Sequence, residues 1–485
     1  MPPNASEKEA MPLSNEKALR RLEKLFEPGT FVEIGREWQH RCADFGMDKR
    51  PIPGDGVAAG YGYVGGEKVF AYAQNEDLLG GSLGEAQAAK ICRVLDLAGE
   101  CGAPVVALNV SSGARIQEGV DALSGYGKIF RSVARLSGQI LQISCILGPC
   151  AGGAVYSSAL TDFVVMARDK GRMFITGPEV VRTVTGENVT ADELGGAEAH
   201  ARKSGCVHFT AKDEDECMDV IRQLLAYHRT RLPNSFAFPR RNRLDAAKWN
   251  ALLPQDPRQG YDMRCVIRLI ADEGAYLEYM PEYAPNLTAG FLRLGGRTVG
   301  VVANQPSSMA GCLDIDASDK AARFIQTCDA HGVALLSCVD VPGFFPGVRQ
   351  EHGGIIRHGA KMLYAWSKAT TPRITLIVRR AYGGAYIAMG SRELGADFVL
   401  AWPGAEIAVM GAASAAGILF RKDPPEERRR KTQEYEALFA SPNRAAQRGY
   451  VDAVIQPPQT RYALLRALDL LSGKRAFTGH GNIPL

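Results

Sequence analysis

The sequence has little that would indicate a metal, a nucleic acid or a membrane. Its 11 cysteines include no Cys-x-x-Cys pair, so buried reduced thiols are expected rather than disulfides or a zinc site. A net charge of +4 over 485 residues provides no polybasic field, which argues against nucleic acid as a partner. No apolar run is long enough to cross a bilayer, and the polar N-terminus resembles neither a signal nor a transit peptide. We therefore expect a cytoplasmic protein without membrane insertion.

What is present is the composition of a large globular protein, with 46% hydrophobic and 23% charged residues. A chain of this length exceeds the size at which one core keeps growing, so two or more domains are expected. A stretch rich in proline and arginine at 231–257 interrupts the alternation of helices and strands. The predicted domains are therefore 1–240 and 241–485.

One motif combines an apolar strand with adjacent glycines. The run 140–147 predicts a buried strand, and Gly152-Gly153 follow it before a set of small residues that suggests a helix start. Adjacent glycines let the main chain approach a ligand, and the first N–H groups of a helix carry partial positive charge. The motif therefore fits an oxyanion hole, although an isolated Gly-Gly is more often only a tight packing turn.

The same pattern occurs a second time, which favours the functional interpretation. Gly383-Gly384 also follow an apolar strand, and Gly383 lies 231 positions after Gly152. The strands upstream, at 104–109 and 333–340, also correspond, and each precedes a glycine-bearing loop. We interpret this as a duplicated domain with a duplicated anion site. Two such sites suit a reaction in which each of two substrates develops an oxyanion.

Arg115 and Glu118 lie in the loop that follows the first of these strands. They could form a local ion pair at a helix start, or the loop could line a polar part of the ligand. The pattern leaves both alternatives open.

Several long motifs identify a family. They occur in the order Gly-Gly-Ser-Leu-Gly-Glu (80–85), Gly-Ala-Arg-Ile-Gln-Glu-Gly (113–119), Gly-Pro-Cys-Ala-Gly-Gly-Ala (148–154), Phe-Ile-Thr-Gly-Pro (174–178), Leu-Asp-Ile-Asp (313–316), Val-Asp-Val-Pro-Gly-Phe (339–344), Gly-Gly-Ile-Ile-Arg-His-Gly-Ala-Lys (353–361), Ala-Tyr-Gly-Gly-Ala-Tyr (381–386) and a terminal His-Gly-Asn-Ile-Pro-Leu. From about residue 19 to 485, the sequence resembles the carboxyltransferase subunits of biotin-dependent acyl-CoA carboxylases, most closely the β-subunits of propionyl-CoA carboxylase.

This resemblance implies an α/β fold with two tandem crotonase-like domains, each a β–β–α superhelix, assembled into a homo-hexamer. The N-terminal domain would bind acyl-CoA, and the C-terminal domain of the dimer partner would receive carboxybiotin. The sequence has no Ala-Met-Lys-Met biotinylation motif and no ATP-binding carboxylase domain. The biotin is therefore expected on a separate carrier protein that is loaded by a biotin carboxylase subunit, and no metal is expected in this chain.

The resemblance also implies roles for individual residues. The N–H groups of Gly152 and Gly153 would hold the thioester oxygen, and those of Gly383 and Gly384 the ureido oxygen of biotin. The freed biotin nitrogen could then remove the α-proton, so that no side-chain base is required. The substrate-binding positions carried over are Gly113, Ala114, Arg115, Ala151, Gly343, Phe344, Gly353, Gly354 and Ile387.

The sequence departs from the family pattern at a few loop positions. Ile387 stands where members that favour propionyl-CoA typically have Asp, and Arg349 replaces an acidic residue. The runs at 75–77 and 109–112 also differ. Propionyl-CoA is therefore the leading expectation, with acetyl-CoA or another acyl-CoA as the alternative.

Two other functions remain open. The first is the carboxyltransferase subunit of a sodium-pumping methylmalonyl- or glutaconyl-CoA decarboxylase, which is similar in sequence. The second is a catalytically silent assembly subunit. The intact glycine pairs in both halves argue against silence, because glycine carries an entropic cost.

Overall fold

The computed structural model describes residues 14–228, 246–256, 258–439 and 441–474. The chain forms two compact units, one from 1–200 with 210–225 and one from 201–209 with 226–485. The boundary expected between 240 and 241 lies outside the described residues, as do the terminal motif and much of the proline-rich stretch. The predicted domain limits therefore stay a prediction. Within the described ranges, no helix combines the length and apolar character needed to span a membrane.

The first unit is built on one eight-stranded sheet with the order β1-β2-β3-β4-β5-β6-β8, in which β7 pairs with β5. Its strands are β1 (Val32–Glu33), β2 (Val57–Val64), β3 (Glu67–Gln74), β4 (Val105–Ser111), β5 (Gln142–Ala151), β6 (Phe163–Ala167), β7 (Arg172–Phe174) and β8 (Phe209–Ala211). Strands β1 to β3 are antiparallel, and β3 to β6 are parallel. Every residue of β4 is buried, which is why this strand reads as a continuous apolar run.

Helices connect and flank these strands. They are α1 (Glu16–Leu25), α2 (Glu85–Cys101), α3 (Val120–Leu136), α4 (Gly153–Ala159), α5 (Pro178–Thr185), α6 (Ala191–Gly195), α7 (Ala197–Ala199) and α8 (Glu214–His228). Strands β2 and β3 form a hairpin with Gly65 and Gly66 at its turn, both at positive φ.

The second unit repeats the plan, with the strand order β16-β14-β13-β12-β11-β10-β9 and β15 paired with β13. Its strands are β9 (Tyr276–Tyr279), β10 (Leu287–Leu294), β11 (Arg297–Asn304), β12 (Ala334–Val341), β13 (Arg373–Tyr382), β14 (Phe398–Ala401), β15 (Glu406–Ala408) and β16 (Ala453–Val454). Its helices are α9 (Ala246–Asn250), α10 (Met263–Ile270), α11 (Ile315–Ala330), α12 (Val348–Gly353), α13 (Ile355–Lys368), α14 (Gly383–Ala388), α15 (Ala412–Leu419), α16 (Pro425–Phe439), α17 (Pro442–Gln447) and α18 (Thr460–Leu470). Buried side chains of α10, α18 and the sheet, including Ile267, Leu376, Trp402 and Leu465, form its core.

The repeat is visible in the strands that lead to the glycines. Strand β13 begins and ends 231 positions after β5. The pairing of β4 with β5 shifts register between Asn109 and Ser111, and that of β12 with β13 shifts between Val339 and Val341. Beyond the irregularity, β5 continues and pairs with β7, and β13 likewise continues and pairs with β15. The predicted strand end at 147 is therefore wrong, because residues 148–151 belong to the strand and the turn begins only at Gly152.

Candidate active site

The first glycine turn joins β5 to α4. Gly152 has φ 57° and ψ −125°, a conformation that is essentially restricted to glycine. Its N–H donates to the carbonyl of Phe174 at 3.3 Å, as an extension of the pairing with β7. Gly153 and Ala154 open the helix, so their N–H groups have no acceptor within it. The predicted role of the Gly152 N–H would require the bond to Phe174 to be exchanged, and that role stays a prediction.

An aromatic ring lies directly behind this turn. A Cβ on Gly153 would lie 2.6 Å from the ring of Tyr126, so only glycine fits without movement. The Tyr126 hydroxyl lies 3.3 Å from Ser111 Oγ, and burial raises the pKa of Tyr126 to about 12. The surroundings of the first turn are therefore neutral and closely packed.

The second glycine turn joins β13 to α14 and has the same backbone twist, with Gly383 at φ 57°. A Cβ on Gly383 would lie 2.9 Å from the carbonyl oxygen of Val409, whereas a Cβ on Gly384 would meet nothing within 4 Å. A cavity of about 550 Å³ adjoins this turn. Its walls include Gly383, Gly384, Tyr386, Ile387, Val409, Tyr435, Arg444 and Arg448.

Among the predicted site residues, Ile387 has a side chain that lies in the wall of this cavity. It is 45% exposed and lines this cavity. The sequence does not predict the walls contributed by α17 and by the residue that follows it, because Arg444 and Arg448 lie some sixty positions further along the chain. The sheet and the helices after it bring them to the cavity, and no local motif marks them.

Four predicted residues, Gly113, Ala114, Gly343 and Phe344, fall into equivalent loops of the two units. Leu83 N–H donates to Gly113 O at 2.9 Å, and Leu313 N–H donates to Gly343 O at 3.1 Å. In each case the next residue, Ala114 or Phe344, forms a parallel bridge to the same leucine. The two loops therefore share their backbone pairing, and Phe344 packs against α13, where a Cβ on Gly359 would lie 3.3 Å from its ring.

Three other predicted positions lie at element ends. Ala151 is the last residue of β5 and pairs with Phe174. Gly353 ends α12 and Gly354, at φ 93°, separates it from α13. A Cβ on Gly353 would lie 2.6 Å from the Ile315 side chain, so this glycine permits a close approach to α11.

Of the two alternatives for Arg115, the structure favours the local ion pair over a contact with the ligand. Its side chain is 1% exposed, and Nη1 lies 2.6 Å from both Asp55 Oδ1 and Glu118 Oε1. Nη2 donates to the carbonyl of Ser82 at 3.1 Å. Burial raises the pKa of Asp55 despite the neighbouring guanidinium. The structure thus favours a structural ion pair, and a substrate contact by the Arg115 side chain would require this cluster to open.

No group of three or more His, Cys, Asp or Glu side chains arranged to hold a metal occurs in the part of the chain that the structure describes. The site consists instead of main-chain donors, glycines and a largely apolar cavity. Such a site can stabilise negative charge on a carbonyl oxygen and can exclude water.

Comparisons with known proteins assign the family. Residues 12–483 match the family model described as carboxyl transferase domain. The chain is 53% identical to the methylmalonyl-CoA decarboxylase subunit alpha of Propionigenium modestum, over 96% of this chain and 93% of that protein. It is 50% identical to the propionyl-CoA carboxylase carboxyltransferase subunit of Haloferax mediterranei, with the same coverage.

A solved structure agrees. The crystal structure of transcarboxylase 12S, described as a hexamer with methylmalonyl-coenzyme A and methylmalonic acid bound, matches with a TM-score of 0.91 and 51% identity over 96% of this chain and 92% of that one. The chain belongs to the carboxyl transferase domain family. The predicted tandem crotonase-like fold and the predicted carboxyltransferase activity of biotin-dependent acyl-CoA carboxylases are confirmed.

Proposed function

We propose that this chain moves a carboxyl group between biotin on a separate carrier protein and the α-carbon of propionyl-CoA. The observation that carries the proposal is the repetition of one strand–glycine–helix turn, with φ 57° at both Gly152 and Gly383. A protein that needed one anion site would have no physical reason to keep two.

The two turns would act on the two carbonyl groups in turn. The N–H groups at the start of α4, from Gly153 and its neighbours, would hold the thioester oxygen as the α-carbon becomes nucleophilic. Those of Gly383 and Gly384 would hold the ureido oxygen. Removal of one such donor typically costs about 3–4 kcal/mol of transition-state stabilisation.

Carboxybiotin, when bound, supplies the carboxyl group, and its ring nitrogen can accept the α-proton. The nitrogen–carboxyl bond breaks, the bond to the α-carbon forms, and the proton moves to that nitrogen, so the exchange is balanced. The cavity beside Gly383 and Gly384 fits a small, mostly apolar ring with one carbonyl, because its walls are largely apolar and the Gly384 face is open.

The names of the relatives support the choice of acyl group. Proteins about half identical to this chain are named for propionyl-CoA or methylmalonyl-CoA. Ile387 keeps the acyl specificity open, because the α-carbon of the acyl group would have to reach the cavity that takes the biotin ring, and an apolar side chain there replaces the Asp expected for propionyl-CoA.

The test is to supply the chain with carboxylated biotin carrier and a panel of acetyl-, propionyl- and butyryl-CoA. We expect methylmalonyl-CoA as the main product, and Ile387→Asp should change the ranking of the three substrates. No carboxylated product from any acyl-CoA would reject the proposal in favour of a silent assembly subunit. An unchanged ranking for Ile387→Asp would show that the side chain does not shape the acyl pocket.

A second candidate is the same chemistry run toward decarboxylation. It is favoured by 53% identity to methylmalonyl-CoA decarboxylase alpha subunits. Purification of the native complex separates the two. An ATP-dependent biotin carboxylase subunit in the complex supports the carboxylase, and a membrane subunit with sodium-dependent turnover supports the decarboxylase.

We also propose a cytoplasmic homo-hexamer that binds a biotin carboxyl carrier protein. Each unit carries an exposed apolar helix after its glycine turn. Val184 of α5 is 76% exposed, and Ile418 and Leu419 of α15 are 66% and 62% exposed. Such surfaces commonly mark protein interfaces. Light scattering of the purified chain should give the mass of six copies, and a monomer would contradict the assembly.

A further inference from the structure

We infer that Arg380 is a positioning residue of the second glycine turn, and that it replaces a backbone hydrogen bond present only in the first unit. The inference rests on the proposed function for its kinetic test. It comes from a comparison of equivalent positions in the two units, where the main chain is repeated but a group of side chains has changed together.

The first change is at the ends of the central strands. In the first unit, a Cβ on Gly148 would lie 2.8 Å from a methyl group of Val110. At the equivalent positions of the second unit, Arg379 Nε donates to Asp340 Oδ2 at 2.8 Å. Arg380 Nε donates to Asp340 Oδ1 at 2.7 Å, and the Asp340 side chain is fully buried. An apolar contact has become a buried charge cluster.

The second change removes a backbone donor. In the first unit, Ser112 N–H donates to the carbonyl of Gly80 at 3.0 Å. The equivalent of Ser112 is Pro342, which has no N–H. The carbonyl equivalent to that of Gly80 belongs to Ala310, and it accepts instead from Arg380 Nη2 at 3.1 Å.

The third change makes this bond more important. Gly80 adopts φ 63°, which glycine does without strain, whereas Ala310 adopts φ 54°. A left-handed alanine is strained and persists only when its surroundings hold it. Arg380 holds it by joining the Ala310 carbonyl to Asp340 on β12.

The turn at Met309–Gly311 leads directly to predicted site residues. A Cβ on Gly311 would lie 2.7 Å from the Asp340 carbonyl oxygen, so the turn sits against β12. Two residues later, Leu313 pairs with Gly343 and accepts from Phe345 N–H at 2.7 Å. Arg380 therefore fixes the loop of Gly343 and Phe344 relative to its own strand, which ends beside Gly383.

The other arginine has a different task. Arg379 lies under the ring of Tyr261, with 5.0 Å from the guanidinium carbon to the ring centre, and donates to the Gln259 carbonyl at 3.1 Å. It neutralises Asp340 by itself. Replacement of Arg380 therefore leaves a paired carboxylate, and the variant should still fold.

The test uses the full chain with methylmalonyl-CoA as carboxyl donor and free biotin as acceptor, and measures propionyl-CoA. Arg380→Gln should lower kcat/KM for biotin on the order of 10-fold, because a misplaced loop misaligns the reacting groups. Adding Pro342→Ser restores the N–H of the first unit and should recover most of that loss. Arg380→Lys keeps a charge beside Asp340 but lacks the second nitrogen, so it should show the same defect and the same rescue.

A second readout does not require turnover. Amide hydrogen exchange at Leu313 and Phe345 should rise in Arg380→Gln and return in the double variant, because both N–H groups belong to the pairing that the turn positions. Unchanged exchange and kinetics in Arg380→Gln would overturn the inference. So would a double variant that recovers thermal stability without recovering kcat/KM.

Failure of the proposed function is seen separately. If the unmodified chain transfers no carboxyl group to biotin, the proposed function fails, and hydrogen exchange still decides the role of Arg380.

Discussion

The two glycine turns share a φ of 57° at their first glycine and differ in the side chains that support them. The ring of Tyr126 lies behind Gly153. In β5, which leads to this turn, Gly148 packs against Val110 of the neighbouring strand β4. The strand before Gly383 is tied down by Asp340 and two arginines. The comparison teaches that duplication preserved the strand–glycine–helix turn and the φ of its first glycine, while different side chains support the turn in each unit.

Another pair of equivalent residues, the buried lysines Lys90 and Lys320, is the same in both units and makes equivalent hydrogen bonds. Lys90 Nζ donates to the carbonyl of Val57 at 2.8 Å, and Lys320 Nζ donates to the equivalent carbonyl of Leu287 at 2.7 Å. Both side chains are fully buried. Lys90 also pairs with a carboxylate, Glu33 at 3.5 Å, whereas the hydrogen bonds described for Lys320 go to main-chain carbonyls, and Glu278 and Asp314 act on it through their charge alone.

The largest expected effect comes from removing the N–H of Gly384. A pair of variants distinguishes the loss of this donor from the added bulk of a side chain. Gly384→Ala and Gly384→Pro both add a Cβ where nothing lies within 4 Å, but only proline removes the N–H. We expect Gly384→Pro to reduce carboxyl transfer on the order of 100-fold or more relative to Gly384→Ala, measured with carboxylated carrier.

Gly127→Ala is the matched control for the added methyl group. This glycine lies exposed on α3, and its Cβ would also meet nothing within 4 Å. The variant should keep its activity and gain about 0.5–1 kcal/mol of stability. Equal transfer by the alanine and proline variants at position 384 would remove the second turn from the mechanism.

Asp340→Asn in the second unit should lower the free energy of unfolding more than a change of Val110, the equivalent residue of the first unit. It leaves the buried guanidinium of Arg379 and the partly exposed one of Arg380 without their charged partner, and removing one partner of a buried pair typically costs about 3–5 kcal/mol. Val110→Ala at the equivalent position should cost only about 1.5 kcal/mol for two lost methyl groups. Chemical denaturation measures both, and similar losses would show that the charge cluster does not hold the second strand.

Lys320→Met tests the buried lysines through pH. Burial lowers the pKa of Lys320 to about 7, against 10.5 for the free side chain. Between these values the unfolded chain binds the extra proton, so the stability of the native protein rises with pH, by up to about 1.4 kcal/mol per unit. The variant lacks this slope, so its stability relative to the native protein should be lowest near pH 10 and improve as the pH falls to 7.

Lys90→Met should show a shallower dependence. Burial also lowers the pKa of Lys90, but Glu33 opposes the shift by its charge and by a direct hydrogen bond, whereas Glu278 opposes the shift of Lys320 by its charge alone. Denaturation curves at pH 7, 8.5 and 10 distinguish the two lysines. A flat difference between Lys320→Met and the native protein would mean that Lys320 stays charged in the fold.

The smallest effect concerns the hydrogen bond that the second unit has replaced. Ser112→Pro removes the N–H that donates to the Gly80 carbonyl. The first unit has no arginine to replace this bond, because Gly148 and Pro149 stand at the positions equivalent to Arg379 and Arg380. The loss should be about 1 kcal/mol relative to Ser112→Ala, which keeps the N–H. Thermal unfolding of the two variants measures it, and equal stability would show that this bond does not hold the turn.

Much of the architecture could be predicted from the sequence, because apolar strands, glycine turns and the 231-residue offset are local or periodic signals. The sequence misplaces the end of β5 at 147, since a glycine and a proline within a strand are typical of a turn, whereas a register shift accommodates them near the C-terminal end of this strand. Arg115 was left open because its partner Asp55 lies sixty positions earlier. The cavity walls from α17 and the partnership of Asp340 with Arg380 depend on tertiary contacts that no single motif contains.

The most direct measurement of the central claim is the isotope-edited infrared spectrum of the two carbonyl groups when bound. The thioester carbonyl of propionyl-CoA and the ureido carbonyl of biotin should each absorb at lower frequency on the protein than in water, because main-chain N–H groups polarise them. The Gly384→Pro variant should lose the biotin shift. A ureido band at the same frequency in water, in the native protein and in the variant would contradict the account.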